Sequence, residues 1–382
     1  MLKRSTVGVL ALLSFGGCSG DPPSAAGETN SESETAGEPG DGDGDPGDGD
    51  GDGDGDGDGD GDGDGEGDGD GDPGDGDGDP GGPLDDLLTL DHVQVKGTHN
   101  SYHIAPALPI HPSHAYTHPP LDEQLEDYGV RAFELDLHRG QGDNLHVYHI
   151  AVVDEETTCH ALSDCLTTIK GWSDQNPGHL PIMVWFEIKD STGGGAIDDL
   201  LIVDQAILEV FPPSRVLTPD SVQGTHETLR AALETEGWPT LGQVRGKVMF
   251  MILNGGHASV EAYTYGHTSL FGRMMFVGTG DFSLPYAAVS KINNPASSQI
   301  AEAHAARIIT ASNVCGADQN EAECFDELAA GLMTGSHMLK DDFLAPGDGK
   351  TYFLDFPDGN PARCNEVTAP PECTAEALED LP

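Results

Sequence analysis

The chain has 382 residues with 67 acidic and 17 basic side chains, which gives a formal net charge of −50 at pH 7. This balance argues against nucleic acid as a partner, because a phosphate polymer would be repelled, and it suits a divalent cation. Residues 21–83 hold 24 of the acidic residues and no Lys or Arg, but residues 84–382 are still acidic, with 43 acidic against 15 basic side chains.

Residues 1–18 have the features of an export signal. Lys3 and Arg4 give a basic start, an apolar run follows from Val7 to Phe15, and the segment ends at Cys18. The run is too short to span a membrane as a helix. It resembles a bacterial lipoprotein signal, although Phe15 stands where Leu is usual. We expect a cell-envelope lipoprotein anchored through Cys18 at the outer membrane or cell surface, with plain secretion as the alternative.

Residues 19–83 are predicted to be a disordered linker. From residue 41 to 82 the sequence is a Gly-Asp repeat interrupted by Pro46, Pro73 and Pro80. It has too few apolar side chains to offset the entropy lost on folding, so we expect an extended, flexible spacer. Specific calcium binding by the repeat is disfavoured, because repeat calcium sites need apolar positions that stack into a core.

Residues 84–382 alternate between predicted strands and helices. The predicted strands are 93–97, 130–137, 145–149, 182–188, 247–253, 273–277, 288–292 and 308–312, with two more near His337 and Tyr352. The predicted helices are 121–128, 162–174, 197–211, 227–236, 297–306 and 323–333. This alternation predicts an α/β fold, a TIM-type (β/α)8 barrel that need not be regular, whose chemistry gathers at the C-terminal strand ends.

Six cysteines follow Cys18 in three close pairs, which in an exported chain indicates disulfides. We expect the local pairing of Cys159 with Cys165, Cys315 with Cys324, and Cys364 with Cys373. A zinc site is the weaker interpretation because no Cys-x-x-Cys spacing occurs.

Carboxylates and an amide stand at the ends of three predicted strands. Glu134 and Asp136 alternate with apolar residues on one strand, so they point the same way and must be exposed, share a proton or bind a cation. A solvated strand face is the alternative. Together the oxygen-bearing side chains offer three negative charges and favour calcium over zinc. They are Asn100, Glu134, Asp136 and Glu187.

Two histidines and a lysine lie next to these oxygen ligands in the sequence. His99 precedes Asn100, and His149 ends a short predicted strand. Two histidines beside a cation can act as base and acid, while Lys189 stabilises charge on phosphate oxygens. These residues therefore favour phosphoryl transfer from a diester. The alternatives are a loop role for His99 and a buried salt bridge between Glu187 and Lys189.

The segment 111–118 carries three further histidines, His111, His114 and His118. They could bind zinc or copper. The flanking prolines and the irregular spacing favour an exposed loop beside the site instead.

Four motifs in this order resemble the calcium-dependent phosphatidylinositol-specific phospholipase C family of actinobacteria, whose barrel is shared with eukaryotic enzymes. They are Gly97-Thr-His-Asn-Ser-Tyr102, Glu134-Leu-Asp136, Val147-Tyr-His149 and Phe186-Glu-Ile-Lys189. The tail Gly359-Asn-Pro-Ala-Arg-Cys364 is also similar, so the resemblance spans roughly residues 90–375.

The resemblance implies a role for each matching position. His99 would act on the inositol 2-hydroxyl and His149 on the leaving oxygen. Lys189 would face the phosphate. The calcium ligands would be the four oxygen-bearing side chains Asn100, Glu134, Asp136 and Glu187.

The implied reaction cleaves phosphatidylinositol at a membrane surface to diacylglycerol and a cyclic inositol phosphate. The second half of the chain departs from the family pattern, because Asn313 and Cys315 stand where relatives carry Arg and Asp. The head-group contacts are thus left open. A phosphodiesterase acting on glycerophosphodiesters or another head group, and a non-catalytic surface-displayed binding protein, are the alternatives. A monomer is expected, although the sequence leaves the oligomeric state open.

Overall fold

The structure is a computed structural model that describes residues 82, 84–189, 196–347, 350–357 and 361–378. The predicted export signal, the lipid anchor at Cys18 and the linker apart from Gly82 lie outside these residues.

In the part of the chain that the structure describes, ten strands form one sheet. They are β1 (Val93–Thr98), β2 (Ala132–Arg139), β3 (Leu145–Val147), β4 (Ile182–Ile188), β5 (Val248–Ile252), β6 (Met275–Val277), β7 (Val289–Lys291), β8 (Ile309–Cys315), β9 (Met338–Asp341) and β10 (Ala362–Cys364). All but β3 and β10 are parallel and run in the order β6-β5-β4-β2-β1-β9-β8-β7. A single parallel bridge from Gly278 to Val289 joins the two ends. The predicted barrel is therefore confirmed, with a thin seam between β6 and β7.

Helices connect the strands. They are α1 (Leu121–Glu126), α2 (Leu162–Gln175), α3 (Leu201–Val210), α4 (Pro219–Gln223), α5 (Leu229–Thr235), α6 (Leu241–Val244), α7 (Ala258–Tyr263), α8 (Gln299–Ala305) and α9 (Glu321–Thr334). None of the helices in the described part of the chain is long and apolar enough to cross a bilayer.

The barrel strands are buried on both faces, as parallel strands covered by helices must be. All five residues of β5 are buried, and six of the seven residues of β4 are buried as well. On β2 and β4 the residues of one parity face the barrel interior, where Trp185 reaches the Met338 sulfur on β9. Glu134 and Asp136 on β2 and Glu187 on β4 alternate in step with Trp185, so they also point into the barrel, near the C-terminal ends of these strands.

Several element predictions differ from the structure. Residues 351–357 do not form the strand predicted near Tyr352; the Tyr352 ring packs instead into a small core with Val314 and Leu339, and its hydroxyl donates to Asp341. The predicted strand ending at His149 stops at Val147, so that His149 lies in the following turn. Helices α4, α6 and α7 and strand β10 were not predicted.

All three predicted disulfides are confirmed. Cysteines pair within short loops, in the order Cys159 with Cys165, Cys315 with Cys324 and Cys364 with Cys373. Disulfides persist in oxidising compartments, so this pattern indicates an exported protein.

Candidate active site

Strands β2 and β4 place three carboxylates side by side. Asp136 lies in register with Glu187, and Glu134 lies in register with Trp185 two residues earlier. Glu134 and Asp136 are 1% and 0% exposed, so they are not a solvated strand face. The alternation of Glu134 and Asp136 with apolar residues therefore correctly predicted that both side chains point to the same face of β2.

The spacing of these carboxylates fits a calcium ion. One oxygen from each of Glu134, Asp136 and Glu187 lies within 4.8 Å of the others. Calcium binds oxygen at about 2.3–2.6 Å, so two ligands on opposite sides of the ion are at most about 5 Å apart. Neither oxygen of the buried Asp136 carboxylate has a hydrogen-bond partner of standard geometry among the described residues, and Lys189 Nζ lies 3.0 Å from Oδ2, so this carboxylate is free to bind a cation in addition to its lysine. Burial raises the pKa of Asp136 to about 6, although the Lys189 charge opposes this shift.

Three lysines neutralise the three carboxylates in the described residues. Lys189 Nζ lies 3.0 Å from Asp136 and 2.7 Å from Glu187, so the predicted salt bridge exists alongside the cluster. Although burial lowers the Lys189 pKa, the charges of Asp136 and Glu187 raise it overall. From the opposite side of the barrel, Lys291 Nζ lies 2.9 Å from Glu134 Oε2, and Lys340 contacts the same oxygen. Burial lowers the pKa of Lys291 to about 8 and that of Lys340 well below its usual range.

Gly97 makes room for the inner lysine. A Cβ at this position would lie 2.9 Å from the Ala132 Cβ and 3.0 Å from the Lys340 Cγ. Both contacts are too short for any larger residue. The glycine in the first motif therefore opens the path by which Lys340 crosses from β9 to Glu134 on β2.

Asn100 follows β1 at the same end of the barrel. It is 2% exposed and adopts a positive φ of 42°, which asparagine tolerates better than most residues. The next residue, Ser101, donates its N–H to the Glu134 carbonyl, and its hydroxyl accepts from the Glu134 N–H. These two bonds fix Asn100 beside the strand that carries the carboxylates.

His99 is held by a carboxylate from the far end of the chain. Its Nδ1 lies 3.0 Å from Asp342 Oδ1, and its side chain is 32% exposed while that of Asp342 is 3% exposed. The second Asp342 oxygen accepts from the Ala317 N–H at 2.8 Å. The imidazole of His99 is thus oriented through Nδ1 by a carboxylate that is itself held in place.

His149 has an equivalent partner. Its Nδ1 lies 2.7 Å from Oδ2 of Asp154, which is fully buried. Burial lowers the pKa of His149, and the hydrogen bond to Asp154 opposes this shift. The charge of Lys189, which pairs with Asp136 and Glu187, is among those that act on His149, and His99 is among the groups that act on Asp136.

The prediction that segment 111–118 is an exposed loop is wrong for two of its histidines. His111 is exposed, but His114 and His118 are 6% and 2% exposed. His118 Nε2 bonds the His99 carbonyl, and burial lowers the His118 pKa to about 4. His114 turns instead towards Asp154.

Sequence reasoning missed the partners that complete the site. Asp342 comes directly after β9, whose last two residues are Lys340 and Asp341, so this strand has a charged end like that of β2, and this signal was available. Asp154 lies in a turn without any such signal. Lys291 ends the three-residue strand β7, where its inward direction depends on the register of the barrel.

Known proteins resemble this chain in sequence profile and in fold. The family profile described as "Phosphoinositide phospholipase C, Ca2+-dependent" matches residues 88–143 and 141–366. The calcium-dependent phosphoinositol-specific phospholipase C of a Gram-negative Pseudomonas species is similar in fold, with a TM-score of 0.51 and 18% identity over 75% of this chain and 98% of that one. The calcium-dependent phosphatidylinositol-specific phospholipase C of Streptomyces antibioticus is also similar in fold, with a TM-score of 0.52 and 18% identity over 67% of this chain and 95% of that one. A search of curated proteins found no match.

Proposed function

Because the chain belongs to the Ca2+-dependent phosphoinositide phospholipase C family, a group of phosphoric diester hydrolases, we propose that it cleaves phosphatidylinositol by acid and base catalysis from His99 and His149. The observation that carries this proposal is the pair of carboxylate-held imidazoles, His99 with Asp342 and His149 with Asp154, together with the cluster of three carboxylates that could hold a cation.

The first step assigns one proton to each histidine. His99 takes the proton of the inositol 2-hydroxyl while the hydroxyl oxygen bonds to phosphorus. The bond from phosphorus to the diacylglycerol oxygen breaks, and His149 gives a proton to that oxygen. The products are diacylglycerol and a 1,2-cyclic inositol phosphate. With the histidine roles reversed, water opens the cyclic phosphate.

Asn100, Glu134, Asp136 and Glu187 would hold the calcium ion. When bound, the ion supplies positive charge against the phosphate oxygens. Without the ion, the three carboxylates face three lysines, so binding of calcium adds two positive charges to this cluster. A site of this charge accepts an anionic phosphodiester even though the whole chain is strongly acidic. Lys189, next to Asp136, would contact a phosphate oxygen.

A cleft beside Lys291 offers room for a polar head group. It has a volume of about 510 Å³ and lies at the C-terminal ends of β5, β6 and β7. Its lining combines Lys291 and Ser290 with the His267 and Tyr286 side chains, which bond each other at 3.1 Å. Convergent polar groups in a cleft of this size suit a hydroxylated ring.

Apolar side chains on the loops around His149 support a membrane-bound substrate. Leu108 and Ile110, between β1 and α1, are 86% and 70% exposed. Val152, in the turn that joins His149 to Asp154, is 90% exposed. Exposed apolar groups grouped on neighbouring loops mark an interaction surface, and we assign it to the lipid interface. The lipid anchor at Cys18 would act in addition to these loops.

The test is cleavage of phosphatidylinositol vesicles with and without calcium, followed by phosphorus NMR of the products. We expect a cyclic inositol phosphate in calcium, and a loss of activity of at least a thousandfold in EGTA or in the Asp136→Asn variant. Asp326→Asn, an exposed carboxylate on α9, is the matched control and should retain activity. Full activity in EGTA would overturn the proposal.

A second candidate keeps the chemistry and changes the head group. It rests on Asn313, whose buried Oδ1 has no hydrogen-bond partner among the described residues, and on Cys315, which is held in a disulfide and so offers no charged group to a substrate. The NMR products separate the two candidates, because a head group without a neighbouring hydroxyl yields no cyclic phosphate.

A further inference from the structure

A buried histidine, His103, lies in the loop between β1 and α1 that also carries His99 and Asn100. Its Nδ1 lies 3.0 Å from the Tyr116 carbonyl oxygen, and its Nε2 lies 2.9 Å and 3.0 Å from the two carboxylate oxygens of Asp154. A carbonyl oxygen and an ionised carboxylate only accept hydrogen bonds, so both ring nitrogens of His103 must donate. The contacts therefore favour an imidazolium, which carries a proton on each nitrogen.

The surroundings of Asp154 keep its carboxylate ionised. Its side chain is fully buried, and the His149 Nδ1 lies 2.7 Å from Oδ2, which His103 also contacts. The His114 Nδ1 lies 3.2 Å from the same oxygen, although it has no hydrogen-bond partner of standard geometry among the described residues. Hydrogen bonds to a carboxylate stabilise its charged form. A buried carboxylate also needs an opposite charge, and the His103 imidazolium supplies it.

The His103 ring is held in a fixed position. Its side chain is 0% exposed, and the ring stacks on that of Tyr116 with the centroids 4.3 Å apart. The backbone N–H of His103 donates to the Asn100 carbonyl, and its carbonyl accepts from the His118 N–H. A charge held in this way acts on its neighbours at a constant distance.

The charge of His103 faces the proposed acid, His149. The two rings meet edge to face with their centroids 6.0 Å apart. His149 therefore contacts a neutral pair, His103 with Asp154, rather than a lone carboxylate. A lone carboxylate would stabilise the protonated His149 ring more strongly than a neutral pair does. Burial lowers the pKa of His149, the contacts with Asp154 raise it, and the charges of Lys189 and His103 lower it.

Other titratable groups also face these two rings. They are Lys189 at the end of β4, His138 on β2, and His114 and His118 on the loop between β1 and α1. Burial lowers the pKa of His138, and it lowers that of His118 to about 4, so both favour the neutral form. Lys189 pairs with two carboxylates of the calcium cluster. His103 is the charged group that shares the Asp154 carboxylate with His149.

We propose that His103 is a positioning residue whose positive charge neutralises Asp154 and so makes the protonated His149 ring a better proton donor. This inference rests on the proposed function, in which His149 gives a proton to the leaving oxygen. A general acid works best when it releases its proton near the working pH, and a lone Asp154 carboxylate would oppose that release. Asp154 thus orients the His149 ring, while His103 preserves its acidity.

The first test is NMR of the full exported chain with 15N-labelled histidine. At pH 8 both ring nitrogens of His103 should carry protons in the wild type, although an unperturbed histidine, with a pKa of about 6.5, is mostly neutral at this pH. The His103→Asn variant identifies the His103 signals, and His149→Gln identifies those of His149. A single protonated nitrogen on His103 would overturn the proposal, and this result is obtained even if a His103 variant fails to fold.

The same spectra follow the titration of His149 in two His103 variants. We expect its midpoint to move up by about one pH unit in both His103→Gln and His103→Asn, because a positive charge near the ring has been removed. Gln can still donate to Asp154 and Asn can still donate to the Tyr116 carbonyl, so equal shifts assign the effect to the charge. An unchanged midpoint in both variants would overturn the proposal.

The second test is the pH dependence of kcat on phosphatidylinositol vesicles at saturating calcium. The limb at high pH, where the acid loses its proton, should move to higher pH in both variants. The limiting kcat should fall about threefold to tenfold, because the acid is weaker, with KM unchanged. A loss of packing alone would lower kcat without moving this limb, and that result would overturn the proposal unless the NMR midpoint had shifted.

Two histidines serve as controls. His337→Gln changes a buried histidine at the opposite end of the barrel, and His111→Gln changes an exposed histidine of the same loop. Both should leave the His149 midpoint and the limb at high pH unchanged, and an equal shift in His337→Gln would contradict the proposal. The NMR result requires no catalysis, so a shifted midpoint without a shifted limb would instead remove His149 from the acid role in the proposed function.

Discussion

The two halves of the barrel are linked by ion pairs at the same end, although each half carries charges of both signs, with Lys189 in the first half and Asp342 in the second. Strands β1, β2 and β4 end in Asn100, Glu134, Asp136 and Glu187, whereas β7 and β9 contribute Lys291 and Lys340. The lysines of the second half contact Glu134 of the first half across the barrel interior. Each half therefore carries charges that it could not bury alone.

This difference shows why the first half was easier to interpret from sequence. Its carboxylates lie in short motifs whose alternation fixes their direction. The lysines of the second half are separated from Glu134 by 157 and 206 residues. Their contact with Glu134 can be seen only in the folded barrel, where β7 and β9 lie opposite β2.

The largest expected effect is on kcat, because both proposed proton-transfer residues, His99 and His149, lie in the first half of the barrel. His99→Gln and His149→Gln should each lower kcat by about a hundredfold to ten-thousandfold, the usual contribution of a positioned acid or base. Activity on phosphatidylinositol vesicles at saturating calcium measures the loss, and His111→Gln is the control. A His149→Gln variant with near wild-type kcat would show that another residue donates the proton to the leaving oxygen. The two proton-transfer residues would then not both lie in the first half.

The second effect tests whether the halves neutralise each other. Lys340→Met leaves the buried Glu134 carboxylate with one lysine fewer, and removal of one partner of a buried ion pair typically costs about 3–5 kcal/mol. We expect a fall of this size in the free energy of unfolding without calcium, and a partial recovery when calcium is added. Urea denaturation with EGTA and with calcium measures both values.

Lys170→Met is the matched control for this experiment. Lys170 pairs with Asp174 on the exposed surface of α2, where such a pair contributes about 0.3–0.5 kcal/mol. Equal losses from the two variants would mean that the pairing across the barrel does not stabilise the fold.

The sequence predicted the site to the extent that local patterns determine it. The parity of Glu134 and Asp136, the position of His99 after a strand and the three local disulfides were all readable from short segments. The roles of Asp342 and Asp154 depend on contacts between distant or irregular segments, and no periodicity reports these. Tyr352 was misread for a related reason, because its apolar neighbours fill a small core without forming a strand.

The third effect concerns Asp342, the residue that links the end of β9 to His99. Asp342→Asn keeps the shape but removes the charge that orients and stabilises the imidazole when it carries a proton. We expect kcat to fall about tenfold to a hundredfold, less than on loss of His99 itself, with KM unchanged. Asp342→Glu should recover part of the loss. An equal rise in KM would indicate that Asp342 positions the substrate instead.

The smallest effect lies at the opposite end of the barrel, before β9, and concerns stability alone. His337 is 1% exposed; its Nδ1 accepts from the Thr310 N–H and its Nε2 donates to the Asp91 carbonyl. Burial, with a smaller contribution from the nearby His304, lowers the pKa of His337 to about 3. The unfolded chain, whose histidine pKa is about 6.5, therefore binds more protons between pH 6.5 and pH 3, so stability falls as the pH falls through this range.

His337→Gln should remove this contribution while its amide replaces both hydrogen bonds. We expect the loss of unfolding free energy between pH 7 and pH 5 to be smaller than in the wild type by about 1–2 kcal/mol. Urea denaturation at pH 7, 6 and 5 measures the difference, and the contribution of the calcium site cancels because it is common to both proteins. His226→Gln, which removes a surface pair with Glu236, is the control and should leave the pH dependence unchanged. Identical pH slopes for His337→Gln and the wild type would show that the acid sensitivity arises at the catalytic end of the barrel, where His118 is also buried and neutral.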